Sequence, residues 1–151
     1  MIDEKLALLN ITLPTPPKPA GSYIPVVKTG NLIFVSGQIP MKDGQVQFKG
    51  QVPTTISIED AQKAAKLCTI NVLAQLKAEL GTLDRISRIV RVSGFVSSSQ
   101  EFFEQPKIIN AASDLLFEIF GDKGKHARVA VGVASLPLNS AVEIDLIAEI
   151  I

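Results

Sequence analysis

Residues 127–150 read ARVAVGVASLPLNSAVEIDLIAEI, and this stretch decides the fold. Strict alternation over 127–134 and again over 141–150 is the period of an extended chain, so two strands are expected, joined across Leu136-Pro137-Leu138-Asn139-Ser140. The short connection predicts a hairpin centred near residues 137 and 138. On that register Arg128 lies opposite about Ile147 and Glu143 opposite about Gly132. Their offset is about four residues, roughly 13 Å at strand rise, so one chain would not bring both to one small ligand. The first strand carries Val129, Val131 and Val133 on one face and Ala130, Gly132 and Ala134 on the other. Small residues along a whole face invite close approach of another surface, and an oligomer core is expected there.

Working back toward the N-terminus, Ile108, Ala112, Leu115, Leu116 and Ile119 recur at helical spacing, which predicts a helix over 107–120. Pro106 sits near its first turn, and Gly121 and Gly124 close it. Residues 86–96 (ISRIVRVSGFV) read as a strand. A long helix is expected over 58–80: Ser57 can cap its free N–H groups, Asp60 stands at the capping-box position, and Gly81 ends it. Its buried stripe is Ala61, Ala65, Cys68, Val72 and Leu76, and Glu59 can pair with Lys63 one turn on. Two β-rich runs around Thr29-Gly30-Asn31, from Ile24 to Gly37, predict a further hairpin. A turn at Lys42-Asp43-Gly44 leads to a short strand over 46–48. Residues 3–9 make one or two helical turns. Pro14, Pro16, Pro17 and Pro19 then force an extended connection, so residues 1–20 read as an arm ahead of a domain over 21–151. The order is an α/β (α+β) arrangement, a mixed sheet with two helices on one face, and the other face still needs a cover.

Composition bounds the function. Fifteen Lys plus Arg balance fifteen Asp plus Glu, so no basic surface calls for nucleic acid. One cysteine and one histidine exclude a Cys-pair zinc cluster and a two-histidine metal site. No apolar run reaches the roughly 20 residues that span a bilayer, and Met1-Ile2-Asp3-Glu4 has acids where a signal peptide carries bases, so no membrane is expected and a cytoplasmic protein is.

Several side chains could carry chemistry. Arg128 leads a strand of Ala, Val and Gly; its planar fork suits a carboxylate, or it pairs with an acid at a strand end. Glu143 shares a pleat face with Asp145 and could orient water, though alternation alone accounts for a solvated acidic face. Tyr23 can donate to a ligand or cover a core edge. Asn110 is a poor helix former, which points to a specific hydrogen bond or a surface position. Ser36 and Gly37 end the second strand, and Ser36 has no base beside it in sequence. Lys125 and His126 form a solvated basic turn or widen an anion-binding mouth. Cys68 is a small core residue.

Three segments together carry a resemblance: Tyr23 ahead of the first hairpin, TGNLIFVSGQIP (29–40), and residues 127–150 with Arg, Leu-Pro and Val-Glu-Ile in order. The chain resembles the RidA/YjgF family of reactive-intermediate deaminases, in a longer-chain branch. The resemblance implies a homotrimer of chorismate-mutase-like subunits, with sheets lining a central barrel and clefts between neighbours. It implies hydrolysis of amino-acid-derived enamines or imines, such as 2-aminoacrylate, to 2-oxo acids and ammonia, with no metal or organic cofactor. Arg128 would hold the substrate carboxylate and Glu143 would position water. Tyr23, Ser36, Gly37, Asn110 and Ala130 match cleft positions. Ala130 stands where archetypal members have Cys, and His126 where they have Pro. A trimer that binds small 2-oxo acids without catalysis is the alternative.

Overall fold

The computed structural model describes residues 1–16, 19 and 21–151. Pro17 of the expected arm and Ala20 at the expected boundary lie outside the described residues.

The strands are β1 (Val26–Thr29), β2 (Leu32–Gln38), β3 (Met41–Lys42), β4 (Gln45–Val46), β5 (Ile86–Ser97), β6 (Ala127–Val133) and β7 (Val142–Ile150). The α-helices are α1 (Ile2–Leu8), α2 (Ile58–Leu80) and α3 (Gln105–Phe120). Five strands form one sheet in the order β1-β2-β7-β5-β6, and β3 with β4 makes a separate ribbon. At the ribbon's turn, Asp43 and Gly44 both have positive φ, as a tight two-residue hairpin requires.

Local signals place α2. Ser57 accepts a hydrogen bond from the Asp60 N–H, and Gly81, at φ 81°, receives the chain at the other end. The predicted stripe of Ala61, Ala65, Cys68, Val72 and Leu76 is fully buried. Lys63 pairs with Asp60 at 3.6 Å, rather than with Glu59 as the sequence suggested. Pro106 lies in the first turn of α3, where its missing N–H costs nothing. The short N-terminal helix α1 buries Leu6 and is tied down by Lys77 Nζ on Asp3 at 2.8 Å.

One expectation is overturned by the sheet. β6 and β7 are not hairpin partners: β5 lies between them, antiparallel to β7 and parallel to β6. Parallel pairing needs a crossover, and α3 supplies it between β5 and β6. The segment 134–141 therefore spans the end of β5, through a turn at Pro137–Asn139 in which Leu138 and Asn139 take positive φ. Loop length alone suggested a hairpin, because nothing local shows that another strand occupies the slot.

The pleat overturns a second one. Arg128, Ala130 and Gly132 pair with Val92, Gly94 and Val96, whose partners on β7 include Leu146 and Ile144, all buried beneath the helices. The small-residue face of β6 is thus the helix face. Its smallness lets α3 sit close: a Cβ on Gly132 would stand 2.7 Å from Gln105 Nε2, and on the adjoining strand β5 a Cβ on Gly94 would stand 2.6 Å from Ile109 Cδ1. Gly94→Ala is expected to cost about 1–3 kcal/mol through overpacking, read as a lower urea midpoint at unchanged m.

The opposite face carries Val27, Phe34, Phe95, Val129, Val131 and Ile147, with Glu143 and Asp145 among them. No helix among the described residues covers it, and Val27 and Phe34 remain exposed.

Candidate active site in two halves

The candidate residues gather in two places. Tyr23, Ser36, Gly37 and Glu143 line one cavity of about 470 Å³, together with Gln75 and Leu138. Asn110 and Arg128 line another of about 440 Å³, with Ser113, Phe117 and His126. Larger hollows of about 860 and 840 Å³ flank the N-terminal arm on α2 and contain none of the candidate residues.

In the first half, β2 is displaced from β7 by a bulge between Val35 and Gln38. Gly37 lies over Glu143 there, and a Cβ on it would overlap Glu143 Oε2. Glycine is required because the carboxylate occupies that space. Ser36 Oγ donates to the Ile24 carbonyl at 2.9 Å and so fixes the segment that leads from Tyr23 into β1. Asn71, buried on α2, donates to the carbonyls of Ile39 and Met41 and holds the loop beyond Gly37. Burial pushes the Glu143 carboxyl above its usual range, and the like charge of Asp145 adds to the rise. A carboxylate so placed accepts a proton more readily near neutral pH than one in water.

In the second half, Arg128 Nη1 donates to Asn110 Oδ1 at 2.8 Å and to Ser113 Oγ at 3.2 Å. Asn110 and Ser113 are three residues apart on α3, so they share the helix face that looks onto the β6 edge. Ala130, two residues beyond Arg128, packs against the core and lines neither cavity. Ser113 was not singled out from the sequence. The Asn-x-x-Ser spacing was its only signal, and it acquires meaning only once β6 lies beside α3.

Within one chain the halves do not meet. Arg128, Val92 and Leu146 form one row across the sheet, while Glu143 pairs with Phe95 three residues farther along. Two strand spacings and three residues of rise separate their Cα atoms by roughly 14 Å. The burial alternation puts Glu143 on the face away from the helices and Arg128 on the helix face. The expected separation of the two residues therefore holds, but for a different reason from the hairpin register that suggested it.

Together, the five-stranded sheet, its two packed helices and the apolar face they leave open define a chorismate-mutase-like fold. The family described as "YjgF/chorismate_mutase-like, putative endoribonuclease" matches residues 3–150, and the chain belongs to this RidA/YjgF family. Protein TCP17 of Trypanosoma cruzi is 42% identical over 150 residues, covering 99% of this chain and 94% of that one. A 2-iminobutanoate/2-iminopropanoate deaminase of Dermatophagoides farinae is 33% identical over 140 residues, covering 93% and 94%. The crystal structure of Atu1372 from Agrobacterium tumefaciens, a protein of unknown function, is 46% identical with a TM-score of 0.93, covering 99% and 92%. No helix among the described residues is long and apolar enough to cross a membrane.

Proposed function

We propose that the protein hydrolyses amino-acid-derived enamines or imines to 2-oxo acids and ammonia, in clefts completed between the subunits of a homotrimer. The observation that carries this reading is the division of the site. An arginine held for a carboxylate stands at one sheet edge, and a half-buried carboxylate with a raised pKa stands on the other face, too far away for a three-carbon ligand to reach both. A second copy seated on the apolar face would bring the two halves of different chains together. The relation to a named imine deaminase supports the reaction class.

The chemistry follows from the parts. Arg128 binds the substrate carboxylate through two N–H groups and fixes the position of the imine carbon. Protonated on nitrogen, that carbon is electrophilic. Glu143 orients a water and takes its proton as the O–C bond forms. The same proton then passes to the nitrogen; as the C–N bond breaks, Glu143 takes the hydroxyl proton of the adduct, a carbonyl is left behind, and the departing ammonia carries that proton away as ammonium.

The test is to generate 2-aminoacrylate in the presence of the protein and time ammonia release, with sedimentation equilibrium on the same sample. Faster release from a trimer is expected. A stable monomer at micromolar concentration, or binding of pyruvate without faster release, would overturn the reading; the second result leaves a carboxylate-binding protein.

A further inference from the structure

We propose that Ser113 and His126 are positioning residues for Arg128, fixing which edge of its guanidinium faces the ligand. This inference rests on the carboxylate-clamp reading above and adds two residues to it. A guanidinium has five N–H donors and can meet a carboxylate side-on through Nε and Nη2 or end-on through Nη1 and Nη2. Here Nη1 is the engaged nitrogen, donating to Asn110 Oδ1 at 2.8 Å and to Ser113 Oγ at 3.2 Å. Nε and Nη2 make no hydrogen bond among the described residues. The side-on edge is the one left for a ligand.

A serine hydroxyl turns freely, so its acceptor face is aimed at arginine only if its own hydrogen is drawn elsewhere. His126 does this: Nε2 lies 2.9 Å from Ser113 Oγ. The other ring nitrogen, Nδ1, lies 2.7 Å from the Gly124 carbonyl oxygen. A carbonyl only accepts, so Nδ1 carries the proton, and in the neutral ring Nε2 is then an acceptor. Donation then runs in one direction, from Arg128 to Ser113, from Ser113 to His126, and from His126 to the backbone at Gly124. Burial and the Arg128 charge both favour the neutral ring, although the Gly124 carbonyl opposes them. The charged groups lining the same hollow are Lys125, which pairs with Asp122 at 3.0 Å, and Asp114 of α3. Neither supplies a hydrogen bond to the series among the described residues.

The geometry also explains the choice of residues. His126 and Arg128 are two apart on extended chain and point the same way, as do Asn110 and Ser113 on α3. Two short segments therefore close one hydrogen-bonded unit around a single guanidinium.

The experiment uses the full-length protein labelled with 15N-arginine and reads rotation of the Arg128 guanidinium without ligand. Slow rotation, with distinct Nη signals, is expected in the wild type. Ser113→Ala and His126→Phe should release it. Ser113→Thr and His126→Gln should keep it, because the hydroxyl and an acceptor for it are retained. Calorimetry with pyruvate is the second measurement. Ser113→Ala and His126→Phe should weaken binding about tenfold, the equivalent of one charge-assisted hydrogen bond, and the two conservative variants should stay close to wild type. Unchanged Arg128 rotation in Ser113→Ala and His126→Phe, or failure of both conservative variants to restore it, overturns the proposal. Absence of pyruvate binding in the wild type would remove the clamp reading instead, with the ligand-free signals still deciding how Arg128 is held.

Discussion

Glu143→Gln is expected to slow ammonia release from 2-aminoacrylate by about 10²–10⁴-fold, the usual worth of a positioned acid or base. Glutamine keeps the shape and can still hold a water, but it cannot take the proton. The same substitution should raise stability at pH 7. Burial and the Asp145 charge raise the native pKa of Glu143 above that of the unfolded chain. Between the unfolded and native values the native state binds more protons, so this group's contribution to stability falls as pH rises through that window. Above the window the full cost of an ionised, half-buried carboxylate remains, and glutamine removes it. Denaturant unfolding at pH 7 should show the variant more stable than wild type. The difference should vanish as pH falls below the ordinary glutamate range. A variant as active as wild type would show that Glu143 is not the base, and one less stable at pH 7 would show that the carboxylate is held by favourable contacts.

A mixture of two inactive proteins should recover activity. Arg128→Ala chains carry an intact Glu143 half, and Glu143→Gln chains carry an intact Arg128 half. If each cleft takes one half from each of two neighbours around a ring, random 1:1 exchange leaves about one cleft in four with both wild-type residues. Activity should rise from the background of either parent to about a quarter of wild type. Exchange would be verified by native mass spectrometry. Persistent inactivity in verified mixed oligomers would mean that both residues act within one chain, against the roughly 14 Å and the opposite faces that separate them.

Much of the local structure was legible because local chemistry sets it. Ser57, Gly81 and the apolar stripe between them placed α2 to the residue. The strand signals at 86–96 and 141–150 came within a residue of β5 and β7. The β6–β7 pairing failed because alternation reports that a segment is extended and says nothing of its neighbour. The small-residue face of β6 was assigned to a partner for the same kind of reason. Ala130 and Gly132 show that something approaches closely, and only the sheet order reveals that it is the chain's own α3.

The candidate site divides along the same line. The chain's order of Tyr23, Ser36-Gly37, Arg128 and Glu143 pointed to the family and to a carboxylate clamp with a water-orienting acid. It could not show that Gly37 is glycine because Glu143 fills the space of a side chain, nor that Ser113 and His126 bracket Arg128. By itself the sequence determined the elements, the caps and the chemical types present, since those depend on residues within a turn or two of one another. The tertiary structure alone decided strand order, which face each side chain meets, and the separation of arginine from glutamate. Those follow from contacts between segments far apart in the chain: with β5 between β6 and β7, Arg128 falls in the row of Leu146 rather than Ile147, and a one-residue change of register moves side chains to the opposite face of a sheet.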